Sequence, residues 1–500
     1  MVEIRSNIDN NRVEELDILL DQLKPQIIEY VRKADPNSSD YDPTSLGKYY
    51  EPAYLKSQFL LNEQGEERDL KNPIENHQQL FDIITKVLKY SVNTWNPGFL
   101  DKLYASNQPI GVVSDLILSL LNTNSHVYTV SPVLSIIENY IGKKYANLFF
   151  ENTTCGGLTF PGGSWSNIHS LQMARSLKYP DTKLNGNGNY KFAIYTSKHC
   201  HYSVVKGAIL LGLGSNNVFK VKILQDGSMD VEDLQATIES TINQGYTPLY
   251  INATAGTTVF GSYDPFLEIS KIAKKYNVHF HIDGSWGGNI VFSENQRYKL
   301  NGCQYADSIT VNPHKMLGVA NTCSFLLIPN VGDFQTSMSL KAPYLFHGRE
   351  NDEENYDLAD GTMGCGRRAD SFKFYMSWLY YGSQGLQARI DHAFAIMEYF
   401  VSSIKQDNRF ELVIDNPQCL QVCFYYTPEN FTSVDKTPVT RFISRELHSQ
   451  GKYLIDFSPN PDSNDQKGEF FRVVFNSPIL TNEIIDDLIN SIVTTGQKMT

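Results

Sequence analysis

A chain of 500 residues, 41% hydrophobic and 20% charged, exceeds a single ordinary core and lies within the globular range, which excludes a disordered or fibrous polymer. A formal net charge of -12 with no long Lys/Arg run excludes a general nucleic-acid binder, so an anionic ligand needs locally placed cations. The N-terminal MVEIRSNIDNNRVEELDILL lacks the parts of a secretory signal, no later apolar run spans a bilayer, and seven cysteines without CxxC spacing suit reduced thiols. A soluble cytoplasmic protein is expected.

Residues 11–34 place Val13, Leu16, Leu19, Leu20, Leu23, Ile27 and Val31 near helical spacing, an amphipathic helix that packs on its own core or on a partner subunit. A polar stretch from Asp35 to Lys48 reads as a loop. KFAIYT (191–196), TPLYINA (247–253), VHFHID (278–283) and DSITVN (307–312) read as buried strands, and DPFLEISKIAKKYN (264–277) as an intervening helix. Strand, helix, strand in that order predicts a parallel sheet with right-handed crossovers, whose ligands gather at the strand C-termini. From about residue 376 the pattern gives a helix to about 405, the strand LQVCFYYT, the helix VTRFISRELHSQ, the strand FFRVVF and the helix NEIIDDLINSIV. That order suits a smaller α+β domain. The boundaries expected are 1–95 for an N-terminal helical segment, 96–375 for a large domain and 376–500 for the small one.

Four motifs carry chemistry. Asn312-Pro313-His314-Lys315 follows a buried strand, where a poorly solvated lysine amine is a good nucleophile for an aldehyde, although a lysine after a strand is more often a solvated surface group. In HIDGSWGG (281–288), Asp283 ends a strand, where it either pairs with a protonated ring nitrogen or caps a turn. Phe160-Pro161-Gly162-Gly163-Ser164-Trp165-Ser166-Asn167 opens a helix, and its backbone N–H groups suit a phosphate as well as they suit a plain turn. His201 follows the 191–196 strand and either lies on a bound aromatic ring or is an ordinary satisfied histidine. A rival arrangement places His279, His281 and Asp283 on one face of a strand, with His199 and His201 as a second HxH pair, in the manner of a zinc hydrolase. That reading leaves Lys315 and the glycine loop without roles.

Together these elements resemble the group II pyridoxal-phosphate-dependent decarboxylases, in the branch with glutamate, cysteine-sulfinate and some aspartate decarboxylases. The resemblance runs from about Tyr90 to the C-terminus and rests on NATAGTTVFGSYDP (252–265), HIDGSWGG, LNGCQYADSITVNPHKMLGV (300–319) and FFRVVFNSP (470–478), in family order. It implies an α/β chain of the type I, aspartate-aminotransferase-like fold: a large domain with a mainly parallel seven-stranded sheet, a smaller C-terminal α+β domain, and a homodimer with active sites at the interface. It further implies the cofactor pyridoxal 5'-phosphate and carboxy-lyase activity on a small acidic amino acid: glutamate, aspartate or cysteine sulfinate. By position, Lys315 matches the Schiff-base lysine, Asp283 the partner of the pyridine nitrogen and His201 the imidazole stacked on the ring. Gly163 and Ser164 match the phosphate cradle, Thr254 lies beside the ring, Asn312 and His314 flank the lysine, and Arg472 matches an arginine for the substrate side-chain carboxylate.

The departures concern substrate and proton donor. Lys102 stands where animal glutamate decarboxylases have a glutamine near the substrate carboxylate, and a second cation beside Arg472 favours an acidic side chain. In the loop from His347 to Gly364, ungapped alignment puts Asp352 at the position of the family's catalytic tyrosine, whereas aligning YDLAD puts Tyr356 there; Tyr356 is the candidate donor of a proton to Cα. The run Arg349 to Glu354 reads as a solvated loop. Without such a donor, an aldehyde synthase consuming oxygen is the alternative in the same fold.

Overall fold

The computed structural model describes residues 11–62, 65–68, 70–71, 74, 76–104, 106–340, 346, 355–459 and 466–499. Arg349 to Glu354, including Asp352, therefore lies outside the described residues. The chain divides into two compact units, one formed by Met1–Ser106, Tyr399–Glu411 and Phe424–Thr500, the other by Asn107–Glu398 and Leu412–Cys423. No helix among the described residues is long and apolar enough to cross a membrane.

In chain order, β1 (Phe99–Leu100) precedes the seven strands of the large sheet: β2 (Gly156–Phe160), β3 (Phe192–Ser197), β4 (Val218–Val221), β5 (Thr247–Thr254), β6 (His279–Gly284), β7 (Ser308–Val311) and β8 (Ser324–Ile328). Then follow β9 (Phe410–Leu412), β10 (Gln421–Tyr426), β11 (Leu454–Pro459) and β12 (Glu469–Val474). The large sheet runs in the order β2-β8-β7-β6-β5-β3-β4. Its neighbours pair in parallel except β8, which is antiparallel to both β2 and β7. Two reversals restore direction, so β2 points the same way as β7, β6, β5 and β3, and the segments leaving all five emerge at one edge.

Burial explains the strand assignments. β3, β6, β7 and β8 are buried at every position, as expected for strands covered on both faces; β3, β7 and β8 read as largely apolar runs, whereas β6 alternates His279, His281 and Asp283 with Phe280 and Ile282. The helix Phe266–Tyr276 buries Phe266, Ile269, Ile272 and Ala273 on one stripe. It stops where Asn277 takes a left-handed conformation (φ 52°), which a short polar side chain tolerates, before the chain turns into β6. On one face of the sheet, the helix Gly163–Lys178 contributes Leu171 and Ala174 to a cluster with Phe192, Ile194 and Tyr250.

The smaller sheet has the order β1-β11-β12-β10-β9, with β11 and β12 antiparallel and Asp456 directly opposite Arg472. The helix expected from about residue 376 spans Asp370–Ile404 and is interrupted at Gly382 (φ 66°, ψ 173°). Its earlier start follows from Asp370 in the first turn, where a carboxylate is favoured by the helix dipole. The N-terminal helix, Arg12–Ala34, buries only Ala34 among its described residues and leaves Val13, Leu16, Leu20 and Ile28 exposed.

Candidate active site

At the edge where the parallel strands end, a cavity of about 200 Å³ is lined by Gly163, Ser164, His201, Thr254, Asp283, Asn312, His314 and Lys315, with Tyr202, Gly256, Thr258, Ser285 and Trp286. All eight cofactor-contacting residues expected from the sequence thus meet in one place. The topology accounts for this: Gly163 follows β2, His201 follows β3, Thr254 ends β5, Asp283 lies at the end of β6, and Asn312 to Lys315 follow β7. Cα pairing sets Thr254 opposite Asp283 and Asp283 opposite Thr310, which centres the carboxylate among its neighbours.

Asp283 is buried, with one oxygen accepting the Ser285 backbone N–H at 3.1 Å and the other the Asn167 side-chain amide at 2.8 Å. Burial alone raises a carboxyl pKa, but nearby His201, the Ser285 hydrogen bond and the Lys315 charge outweigh it and hold Asp283 below the ordinary carboxylate value. It is an ionised group in a dry place. His201 is fixed from below: its Nδ1 accepts the Ser203 backbone N–H at 3.2 Å and faces Ser203 Oγ at 2.8 Å, which leaves the ring proton on Nε2. Burial, opposed by Asp283, lowers its pKa, so the ring stays neutral and presents a flat face.

Gly163 begins the helix Gly163–Lys178, preceded by Gly162 at φ 103°. A Cβ at residue 163 would meet Ser285 Oγ at 2.4 Å and Asn312 Nδ2 at 2.8 Å, so only glycine permits this approach of the helix start to the strand ends. The N–H groups at the very start of a helix have no intrahelical acceptor, and the two residues that begin this one, Gly163 and Ser164, line the cavity. Two buried polar atoms on that lining, Thr254 Oγ1 and Asn312 Oδ1, have no hydrogen-bond partner among the described residues, as expected where a polar ligand completes them. Thr254 is itself fixed by its N–H donating to Asp264 Oδ2 at 2.7 Å, and His314 Nδ1 accepts the Cys323 N–H at 3.0 Å. An anion cradle, a buried carboxylate, a flat imidazole and a lysine amine around unsatisfied polar atoms fit a phosphorylated aromatic aldehyde.

Sequence reasoning missed Asn167, Ser203 and Ser285, which orient Asp283 and His201. Asn167 had a signal: it stands four residues after Gly163, one turn along the same helix face. The HxH pair on β6 is turned to internal partners: His279 Nε2 lies 2.9 Å and His281 Nδ1 2.8 Å from Ser308 Oγ, and His281 Nε2 lies 3.1 Å from Asn167 Oδ1.

Within the other unit, Arg472 and Lys102 converge on Asp456. Arg472 Nη2 lies 2.5 Å from Asp456 Oδ2 and donates to the Asp101 carbonyl at 3.0 Å, while Lys102 Nζ lies 3.0 Å from Asp456 and 3.2 Å from Asp101. Arg472 is buried, and the Lys102 side chain is 48% exposed. Two cations and two carboxylates cancel formally, a compensation invisible in the sequence because it depends on the β11–β12 register. Tyr356 lies outside the Lys315 cavity lining and packs against Tyr128 with ring centroids 5.6 Å apart.

The model of the pyridoxal-dependent decarboxylase conserved domain matches residues 61–427. The chain is 45% identical over 491 residues to the L-aspartate decarboxylase dtxS4 of Metarhizium robertsii, covering 95% of each. It is 34% identical to the cysteine sulfinic acid decarboxylase of Mus musculus, over 86% of this chain and 88% of that one. A crystal structure of mouse CSAD superposes with a TM-score of 0.87 at 31% identity, covering 97% of this chain and 99% of that one.

Proposed function

The chain belongs to the pyridoxal-dependent decarboxylase family and is a pyridoxal-phosphate-dependent amino-acid decarboxylase of the type I fold; from that premise we propose that it removes the α-carboxylate of a small acidic amino acid, L-aspartate first. The observation that carries this reading is the meeting of Lys315, Asp283, His201 and the Gly163 helix start in one cavity; the acidic class is supported by relatives described as L-aspartate and cysteine sulfinic acid decarboxylases, with Arg472, held by Asp456, as the proposed partner of the substrate side-chain carboxylate. The preference for aspartate over glutamate or cysteine sulfinate is supported by the 45% identity to a protein described as an L-aspartate decarboxylase. Lys102, already engaged by Asp456, offers no independent measure of substrate length.

Pyridoxal phosphate, when bound, supplies an aldehyde that condenses with amines and a ring that accepts the electron pair left when carbon dioxide departs. In the proposed assignment, Gly163 and Ser164 offer N–H donors to the phosphate, and Thr254, Asn312 and His314 border the group. Asp283 holds a proton at the ring nitrogen, and neutral His201 covers a ring face without adding charge. Lys315 Nζ holds the cofactor between turnovers and takes part in releasing product. The proton delivered to Cα is assigned to Tyr356 Oη from its place in the sequence alone, since its ring packs against Tyr128 outside the cavity lining. A homodimer is part of the same proposal, supported by Val112, Val113, Leu116, Ile117, Leu120 and Leu121, all exposed on the helix Pro109–Leu121.

The test is carbon dioxide release measured side by side for aspartate, glutamate, cysteine sulfinate, tyrosine and histidine. The highest kcat/KM is expected for aspartate; a maximum for tyrosine or histidine refutes the acidic-substrate reading. Hydrogen peroxide and ammonia in step with carbon dioxide would identify an aldehyde synthase instead.

A further inference from the structure

Behind Asp283, away from the cavity, a row of buried polar side chains runs down β6 and β7. Asn167 Nδ2 lies 2.8 Å from Asp283 Oδ2, Asn167 Oδ1 lies 3.1 Å from His281 Nε2, His281 Nδ1 lies 2.8 Å from Ser308 Oγ, and Ser308 Oγ lies 2.9 Å from His279 Nε2. The row ends at His279 Nδ1, 3.9 Å from the half-exposed Asp307 carboxylate. Asn167, His281, Ser308 and His279 are all buried. Tyr250 holds both imidazoles in place, its ring stacked 5.5 Å from each, with its hydroxyl 2.5 Å from Ser170 Oγ.

Donor counting fixes the direction of every bond. An ionised Asp283 only accepts, so Asn167 turns its NH₂ to it and its carbonyl oxygen to His281, whose Nε2 must then carry the proton. Burial pushes the His281 pKa down to about 3, which leaves that ring neutral and its Nδ1 an acceptor. Ser308 therefore donates its single proton to His281 and must accept from His279 Nε2–H. All the donors point toward Asp283, and a chain of aligned hydrogen bonds polarises in one sense.

We propose that Asn167, His281 and Ser308, anchored at His279, form a one-way hydrogen-bonded array that holds Asp283 ionised toward the cofactor ring nitrogen. His281 and Ser308 are then positioning residues for the decarboxylation although neither lines the cavity. The inference rests on the assignment of Asp283 to the ring nitrogen, and the experiment separates the two.

Apo-protein is titrated with pyridoxal phosphate and with its 1-deaza analogue, in which a C–H replaces the ring nitrogen, and the ratio of the two dissociation constants is read. Wild type prefers pyridoxal phosphate. Ser308→Ala cuts the preference by roughly threefold to tenfold, the worth of about one hydrogen bond, while the analogue binds as before. Ser308→Thr, which keeps the hydroxyl, restores the ratio. His281→Phe, which keeps a flat ring but carries no ring nitrogen and so breaks that link and the next, moves it in the same direction and guards against a Ser308→Ala protein that fails to fold. An unchanged ratio in both folded variants, or equal weakening of both ligands, overturns the array. No preference in wild type overturns the assignment of Asp283 itself, and the array with it.

Discussion

Arg472 and Asp456 face each other across the β11–β12 ladder, and their side chains meet at 2.5 Å. The same carboxylate receives Lys102 at 3.0 Å, so one acidic side chain restrains both cations of the proposed carboxylate site.

This arrangement predicts the effect of Asp456→Asn. The amide still accepts a hydrogen bond from Arg472, so orientation survives while a negative charge is lost. Repulsion between the Asp456 carboxylate and a substrate carboxylate sharing Arg472, partly exposed and screened by salt, is worth about 1 kcal/mol. KM for the acidic substrate is therefore expected to fall about fivefold with kcat little changed. A raised KM would mean that Asp456 serves to orient the arginine.

Gly163→Ala tests the cradle. A methyl group 2.4 Å from Ser285 Oγ and 2.8 Å from Asn312 Nδ2 must displace both, and overpacking of this kind costs about 1 to 3 kcal/mol. Cofactor affinity should weaken roughly tenfold to a hundredfold while far-UV circular dichroism is preserved. Unaltered affinity would place the phosphate elsewhere.

These contacts show what the sequence made legible. β3, β5 and β7 were readable because strands covered on both faces are largely apolar runs between polar turns, β6 because Phe280 and Ile282 alternate with polar residues, and parallel strands deliver their following loops to one edge. That Lys315, Asp283, His201 and Gly163 meet followed from this topology together with the family motifs. The reversed direction of β8 was not readable, because a short apolar run carries no sign of its orientation. Nor was Asp456, whose partner is decided by a strand register. The array behind Asp283 lay half in view: His279 and His281 were noticed as an alternating pair, but their partners Ser308 and Asn167 come from another strand and a helix.

Asp283→Asn removes the charge that stabilises a protonated ring nitrogen but leaves a side chain of the same shape. Cofactor should still bind, while kcat falls roughly a hundredfold to a thousandfold, the scale for losing one preorganised electrostatic partner. Lys315→Ala should abolish turnover, since the amine is lost as both anchor and exchange partner. Near wild-type rates in either variant would remove that residue from the site.

The buried histidines make stability depend on acid. Burial pushes the pKa of His169 and His281 down to about 3 and that of His314 to about 4, against about 6.5 in an unfolded chain. A histidine with a depressed folded pKa takes up a proton only on unfolding. Its contribution is therefore fully present above about pH 6.5 and is lost as pH falls toward the folded value. Asp264 opposes this: burial lifts it to about 7, so it is protonated in the native state and releases its proton on unfolding between about pH 4 and 7. Three protons taken up against one released leave about two, or roughly 3 kcal/mol of stability lost per pH unit near pH 5. His201, His279 and His448, also lowered by burial, add in the same direction, while Asp101, Asp333 and Asp370, raised by burial, oppose them as Asp264 does. Denaturant unfolding at intervals from pH 7 to pH 5 reads the slope directly. His169→Leu, placed beside Phe160 and Phe334, should reduce it by about one proton, or about 1.4 kcal/mol per pH unit. Stability that stays level or rises on acidification would show that these imidazoles are hydrated in the native state.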